Sequence, residues 1–412
     1  MKQEIKQRIE QINNGIVPEG YKKTKLGVIP YGWEVCHLNY LFSRLTRKNK
    51  ENNNNVLTIS AQKGLISQTE FFNKDIASDD KSNYYLLQKG DFAYNKSYSS
   101  GYPYGAIKEL SLYDKGIVSP LYICMQKTRN NKCPSFYLQY FEAGMLNREI
   151  KAFAQEGARN HGLLNIAIGD FFNSNVILPP IAEQEKIAEI LATQDRIIEL
   201  KQKQFEEKEK QKKYSEQLFF DEKKKEWKWV KANELFGNVS KKNNSTSANV
   251  LSATQDYGVI PRREIGIEIK FNEENIIGYK VVDAGDFIIS LRSFQGGIEY
   301  SNYQGVVSPA YTVIRNKTEI CKDFYKHYFK TRDYIEHLKI ATYGIRDGKQ
   351  ISYSDFSSIK IPYPPIKEQK KIANVLNYQK KEIDLLKQDL EQEKQKKKAL
   401  MQLLLTGIVR VK

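Results

Sequence analysis

A chain of 412 residues is long enough for two or more domains with sizeable cores, and 40% hydrophobic with 12% aromatic residues mark it as folded rather than disordered. Its 65 Lys and Arg against 49 Asp and Glu give a formal net charge of +16, which favours an acidic partner such as nucleic acid. No stretch approaches the ~18 consecutive apolar residues of a membrane span, and four cysteines (Cys36, Cys124, Cys133, Cys321) without a C-x-x-C pair, beside four scattered histidines, argue against a disulfide framework or a zinc site.

Residues 1–31 open with MKQEIKQRIEQINNG, a polar helical pattern without the apolar core of a secretory signal, so a reducing cytosolic setting is expected. From 32 to 178 the apolar residues fall in short runs broken by Gly, Asn and Pro. Val118-Ser119-Pro120-Leu121-Tyr122-Ile123 is one such run, and the pattern predicts strands meeting turns. One helical stretch, SFYLQYFEAGMLNREIKAFA, lies among them, so the expected domain is α+β. Residues 179–220 predict a single long helix. Pro180 suits its first turn, Glu183 sits near the positive end of the helix dipole, and no breaker occurs between Ile181 and Phe219. Residues 221–363 return to the α+β pattern, with DFYKHYFKTRDYIEHLKIA as the helical stretch. Residues 364–412 return to the long helix, with Pro365 and Glu368 in the corresponding places and no breaker between Ile366 and Thr406.

These are two copies of one plan. LPPIAEQEKIAEIL, from Leu178, reappears as YPPIKEQKKIANVL 185 positions later. GWEVCHLNYLF from Gly32 lies over EWKWVKANELF at an offset of 194, KGDFAYNKS from Lys89 over AGDFIISLR at 195, and KGIVSPLYICM from Lys115 over QGVVSPAYTVI at 189. The framework repeats while loop lengths differ. Trp33, Trp227, Phe92, Phe287, Phe171 and Phe356 recur in this framework and are expected in the two cores. In the second long helix Ile372, Leu376, Gln379, Ile383, Leu386, Leu390, Leu400 and Leu404 follow alternating steps of four and three, with Glu393 and Lys397 as gaps. That is a coiled-coil seam. The first copy gives Ile187, Leu191, Gln194, Ile198, Phe205 and Phe219, interrupted by Lys201, Lys208 and Lys212. Neither helix buries its stripe alone, and the other copy is the evident partner.

No catalytic constellation emerges. There is no P-loop Gly-Lys-Ser/Thr and no Asn/Asp-Pro-Pro-aromatic motif, and the glycines of GYPYG and GGIEY read as hairpin turns. The candidates are DNA contacts instead. Arg159 and Asn160 in GARNHG match the place of Arg346 in GIRDGK, with Lys349 closing the second loop. A Gly-flanked Arg in a loop either approaches a base edge or phosphate, or clamps the loop to its own domain. After the Gly-Asp-Phe strand, one half offers Lys96, Ser97, Tyr98 and Ser99, the other Arg292, Ser293, Phe294 and Gln295. Matched position with different chemistry fits two half-sites of different sequence. Arg262 and Arg263 suit phosphate contacts or a solvated turn.

With Pro-Pro-Ile-x-Glu-Gln-x-Lys-Ile-Ala occurring twice at this spacing, the chain resembles a type I restriction–modification specificity subunit over essentially its whole length. The resemblance implies two target recognition domains (32–178 and 221–363) on double-stranded DNA, each reading one half of a bipartite target. It implies that the helices of 179–220 and 364–412 form an antiparallel coiled coil that spaces the domains. Leu191, Ile198 and Phe205 are then expected to face Leu376, Ile383, Leu386 and Leu390. Two methyltransferase subunits would dock on the helices, with a restriction/translocase subunit as a further partner. S-adenosylmethionine, Mg²⁺ and ATP would belong to those partners, leaving this chain non-catalytic and without cofactor. The competing readings are a stand-alone coiled-coil adaptor and a non-specific DNA-binding protein.

Overall fold

The computed structural model describes residues 3–60, 64–72, 80–99, 101–156, 164–222, 226–245, 247–255, 257–265, 276–341 and 351–411. The chain forms two compact units, residues 1–200 with 390–412, and residues 201–389. Each holds one α+β domain and a stretch of both long helices.

In the first unit, four antiparallel strands lie in the spatial order Phe42–Arg44, Ile123–Lys127, Phe92–Asn95, Ala106–Glu109. The strand Phe92–Asn95 alternates between two faces as a pleated strand must. Phe92 and Tyr94 enter the main core, and Ala93 enters a smaller core with Leu57, Leu87 and Cys124. The helix Pro134–Glu142 supplies Phe136, Tyr137, Tyr140 and Phe141 to the main core. There Phe42 meets Phe92 and Tyr137 edge-on at centroid distances of 5.2 and 6.0 Å, a favoured arrangement for aromatic quadrupoles.

The second unit repeats this topology with Phe236–Asn238, Thr312–Asn316, Phe287–Ile289 and Glu299–Tyr300. The helix Lys322–Tyr328 packs Phe324, Tyr325 and Tyr328 beneath it, followed by Phe329. The framework aromatics expected inside are inside: Trp33, Phe92, Phe171, Trp227, Phe287 and Phe356 are all buried.

The long helices span Ile181–Gln217 and Ile366–Leu405, 37 and 40 residues, or about 55 and 60 Å at the usual rise. Their repeated motif has a local explanation. The carbonyl of Pro180 accepts from the amides of Glu183 and Gln184 (2.9 and 3.0 Å), and Pro365 does the same for Glu368 and Gln369 (2.8 and 3.0 Å). The buried Gln184 amide turns back to donate to Pro179 O (2.7 Å), as Gln369 does to Pro364 O (2.8 Å). A buried carbonyl left without a donor would be costly, so Pro-Pro and Gln work as one helix-starting unit.

The two helices run antiparallel within each unit. In the first, Gln194 donates to Glu393 Oε2 (2.6 Å) and Asp195 pairs with Lys397 (2.5 Å). In the second, Lys201 pairs with Asp389, Lys208 with Glu382 (2.8 Å), and Gln379 donates to Ser215 (2.9 Å). Positions 194, 201, 208 and 215 recur every seven residues, so one heptad column of the seam is polar.

This corrects the expected facing of Leu191 and Leu376. Leu191 lies in the first unit's core with Met401, Leu404 and Leu405, whereas Leu376 lies in the second unit's core with Phe220 and Trp227. Ile198, Phe205, Ile383 and Leu386 are only half-buried, and Leu390 is buried. Of the lysines that interrupt the apolar pattern, Lys201, Lys208 and Lys397 are cross-helix partners, while Lys212 pairs along its own helix with Glu216.

Candidate nucleic-acid interface

In the first unit the candidate loop runs from the end of strand Phe92–Asn95 to Ala106. Gly105 closes it at φ +80, and a Cβ there would stand 2.2 Å from Asn95 O, so only glycine fits. Ser97 N donates to Asn95 Oδ1 (3.1 Å), and Tyr102 N donates to Ser99 O (2.8 Å). Lys96, Ser97 and Ser99 are half-buried, while Tyr98 is 65% exposed. At the base of the loop, Lys108 is ion-paired with Glu142, and the Tyr102 hydroxyl donates to the same carboxylate. Burial, then the Glu142 charge, pushes the Tyr102 phenol up, so it remains a donor.

In the second unit the equivalent segment folds into the short helical turn Ser293–Gly296. Gly297 closes it at φ +80, where a Cβ would stand 2.0 Å from Phe329 O. Arg292 and Gln295 are exposed. Ser293 is 1% exposed, and its hydroxyl accepts from Ser290 N (2.9 Å). The grouping of Ser293 with the DNA contacts is therefore corrected: it builds the turn that presents its neighbours. At the base of this loop Lys330 is ion-paired with Glu299.

Arg159, Asn160, Arg346 and Lys349 lie outside the described residues. The flanking residues meet the loop above in the first unit and the neighbouring strand in the second. Leu164 N donates to Lys96 O (3.1 Å), and Thr312, which pairs in register with Ile289, donates through its hydroxyl to Ile351 O (2.8 Å). Arg262 is half-buried with Nε donating to Ser252 Oγ (3.2 Å), and Arg263 is exposed on the same turn. Tyr257, 73% exposed between strands Leu251–Thr254 and Gly258–Pro261, was not flagged. Its signal was the aromatic before a turn glycine. Among the described residues no three His, Cys, Asp or Glu gather to hold a metal ion, and no helix is long and apolar enough to cross a membrane.

The family comparison likewise finds two matched domains. The family model described as type I restriction modification DNA specificity domain matches twice, over residues 30–210 and 224–395. The chain belongs to this family. A relative from Methanocaldococcus jannaschii, provisionally named the specificity subunit of the type I restriction enzyme MjaX, is 27% identical over 96% of this chain and 97% of its own. The MjaVIII specificity subunit of the same organism is 27% identical over 74% of this chain and 77% of its own. Among solved structures, the S subunit of a type I restriction-modification system from M. genitalium aligns with TM-score 0.53 at 14% identity, covering 90% of this chain and 96% of that one. At that identity it speaks for the fold alone. The role that goes with the family is DNA recognition.

Proposed function

We propose that this chain is the DNA-recognition subunit of a type I restriction–modification complex, each globular domain reading one half of a bipartite double-stranded target. The long helices fix the unread spacer and dock two methyltransferase subunits, and a restriction/translocase subunit joins the same complex. The chain itself is non-catalytic, works in the cytosol, and leaves S-adenosylmethionine, Mg²⁺ and ATP to its partners. The observation that carries this reading is the pair of equivalent loops with unlike side chains, Lys96 to Ser99 in one half and Arg292 to Gln295 in the other. Polar side chains on a loop held by a sheet can read base edges, and different sets read different sequences. Docking is supported by large apolar side chains left exposed on the long helices, Leu200 and Tyr214 on the first, Tyr378 and Leu385 on the second.

Methylome sequencing of a host carrying this chain and its methyltransferase partner tests the proposal. A single bipartite motif is expected, with one half altered by Tyr98→Ala and the other by Arg292→Ala. Sequence-blind methylation would refute the recognition role. Binding of S-adenosylmethionine, or Mg²⁺-dependent DNA cutting, by the purified chain alone would refute the non-catalytic one.

A further inference from the structure

Two ion pairs occupy the same place in the two halves with their charges exchanged. Lys108 stands opposite Ala93 in the register of the first sheet, and Glu299 stands opposite Ile288 in the second. Ala93 and Ile288 each follow the matched Gly-Asp-Phe, so Lys108 and Glu299 are equivalent positions. Their partners are equivalent too. Glu142 follows Phe141, which packs on Phe42 and Phe92 at 5.7 and 6.1 Å, and Lys330 follows Phe329, which packs on Phe236 and Phe287 at 5.6 and 5.4 Å. In the first half the sheet supplies the cation and the helical segment the acid. In the second half the roles are reversed.

Each pair also reaches the loop. Lys108 Nζ donates to the Tyr102 hydroxyl (3.0 Å), which itself donates to Glu142. Lys330 Nζ donates to Gly296 O (2.9 Å), the last residue of the Ser293–Gly296 turn. The sheet members are deeply placed, Lys108 at 7% exposure and Glu299 at 3%. A charge at that depth needs its partner.

We propose that Lys108–Glu142 and Glu299–Lys330 are latches that hold the two recognition loops in their reading conformation, with opposite charge codes that confine each latch to its own half. The proposal rests on the reading of these loops as DNA-reading elements. Two homologous halves in one chain can mispair while folding. A helical segment docked on the wrong sheet would set Lys330 against Lys108, or Glu142 against Glu299. Like charges at a buried position oppose that arrangement, so the reversal rejects the wrong pairing while each half keeps a stable one.

The test uses the full chain with its methyltransferase partner, carrying Lys108→Glu, Glu142→Lys, or both. Hydrogen exchange of the peptide spanning Lys96 to Tyr102 should quicken in each single variant, while the peptide spanning Ser290 to Gly297 stays unchanged. Discrimination at one half-site should fall roughly tenfold, the order of one good base contact, with the other half-site untouched. The double variant should restore both readouts. Glu142→Gln, which keeps the size and a hydrogen-bonding group but drops the charge, covers the case in which a charge reversal fails to fold, and should loosen the same loop. Unchanged exchange and discrimination in Glu142→Gln, or a double variant no better than the singles, overturns the proposal. If the singles loosen the loop while Tyr98→Ala leaves half-site reading intact, the failure lies in the reading of the loop, and the latches are then structural only.

Discussion

Inserting four residues into each long helix at one level tests whether the helices set the DNA spacer. The level is fixed by the Lys208–Glu382 pair, so the insertions go after Lys208 in one helix and before Glu382 in the other. The pairs Lys201–Asp389 and Gln379–Ser215 on either side can then still form. Four residues add about 6 Å of helix and turn it by about +40°. At about 3.4 Å per base pair, 6 Å is one to two base pairs, over which DNA turns by roughly 35–70° at 10–10.5 base pairs per turn. Protein and DNA thus advance and rotate in the same sense by similar amounts. A seven-residue insertion is the instructive contrast. It keeps the heptad, adds about 10.5 Å or about three base pairs, and turns the helix by about −20° while DNA turns by roughly 100°. The four-residue variant should therefore keep both half-sites and lengthen the spacer by one to two base pairs. The seven-residue variant should lose most of its methylation. Methylome sequencing reads both, and co-purification with the methyltransferase subunit confirms that docking survives. An unchanged spacer in the four-residue variant, or equal activity of the seven-residue variant, would refute the reasoning.

Three further outcomes are expected. In Arg410→Ala the buried Glu183 carboxylate loses two charged donors, one at 2.7 Å, and keeps Trp33 Nε1 at 3.3 Å. With Arg410 itself partly exposed the cost should be about 1–3 kcal/mol, seen as a lower first thermal transition, and Glu183→Gln added to Arg410→Ala should recover part of it. Burial holds His327 below its ordinary pKa, against the opposing hydrogen bond to Asn377, so the unfolded chain gains that proton first as pH falls. Stability of the second unit should drop as pH is lowered through about 6.5, and His327→Gln, which installs the residue that Gln139 provides in the other half, should flatten that part of a melting-temperature profile. Tyr98→Ala should leave melting unchanged, since the side chain is mostly solvated, while weakening one half-site by about 1–3 kcal/mol in competition binding.

Repetition and apolar spacing made the fold legible. Phe92 and Phe287, or Trp33 and Trp227, could be placed inside because each appears twice in the same surroundings. Helix pairing was not legible, because a column with a residue every seventh position fits a partner at several offsets. Only the charges decide among them, and Lys201 and Lys208 read as interruptions until their partners Asp389 and Glu382 are seen. Ser293 misled for a related reason. A serine in a polar loop looks available, and nothing in Ser-Leu-Arg-Ser announces that its hydroxyl will cap the amide of Ser290. The exchanged charges of Lys108 and Glu299 were visible in principle, in AIKEL against GIEYS, but strand register was needed to align them.

On the proposed reading, stability and recognition are carried by different residues in this chain, and that division would explain how one framework can serve two half-sites. Phe42, Phe92 and Phe141 in one core repeat as Phe236, Phe287 and Phe329 in the other, and the helix-starting Gln184 repeats as Gln369 with the same bond to a proline carbonyl. Gly105 and Gly297 close the loops at the same φ of +80, each where a side chain would strike a carbonyl oxygen. Between those fixed ends the two halves share little. The first loop is tied through a tyrosine hydroxyl and the second through a backbone carbonyl. A loop closed by a glycine and latched at its base can change its exposed side chains without disturbing the aromatic core beneath it. If these loops read DNA as proposed, new specificity would arise by substitution at Tyr98, Arg292 or Gln295 at little cost in folding free energy, since exposed positions away from caps and cores usually shift stability by no more than about 0.5 kcal/mol.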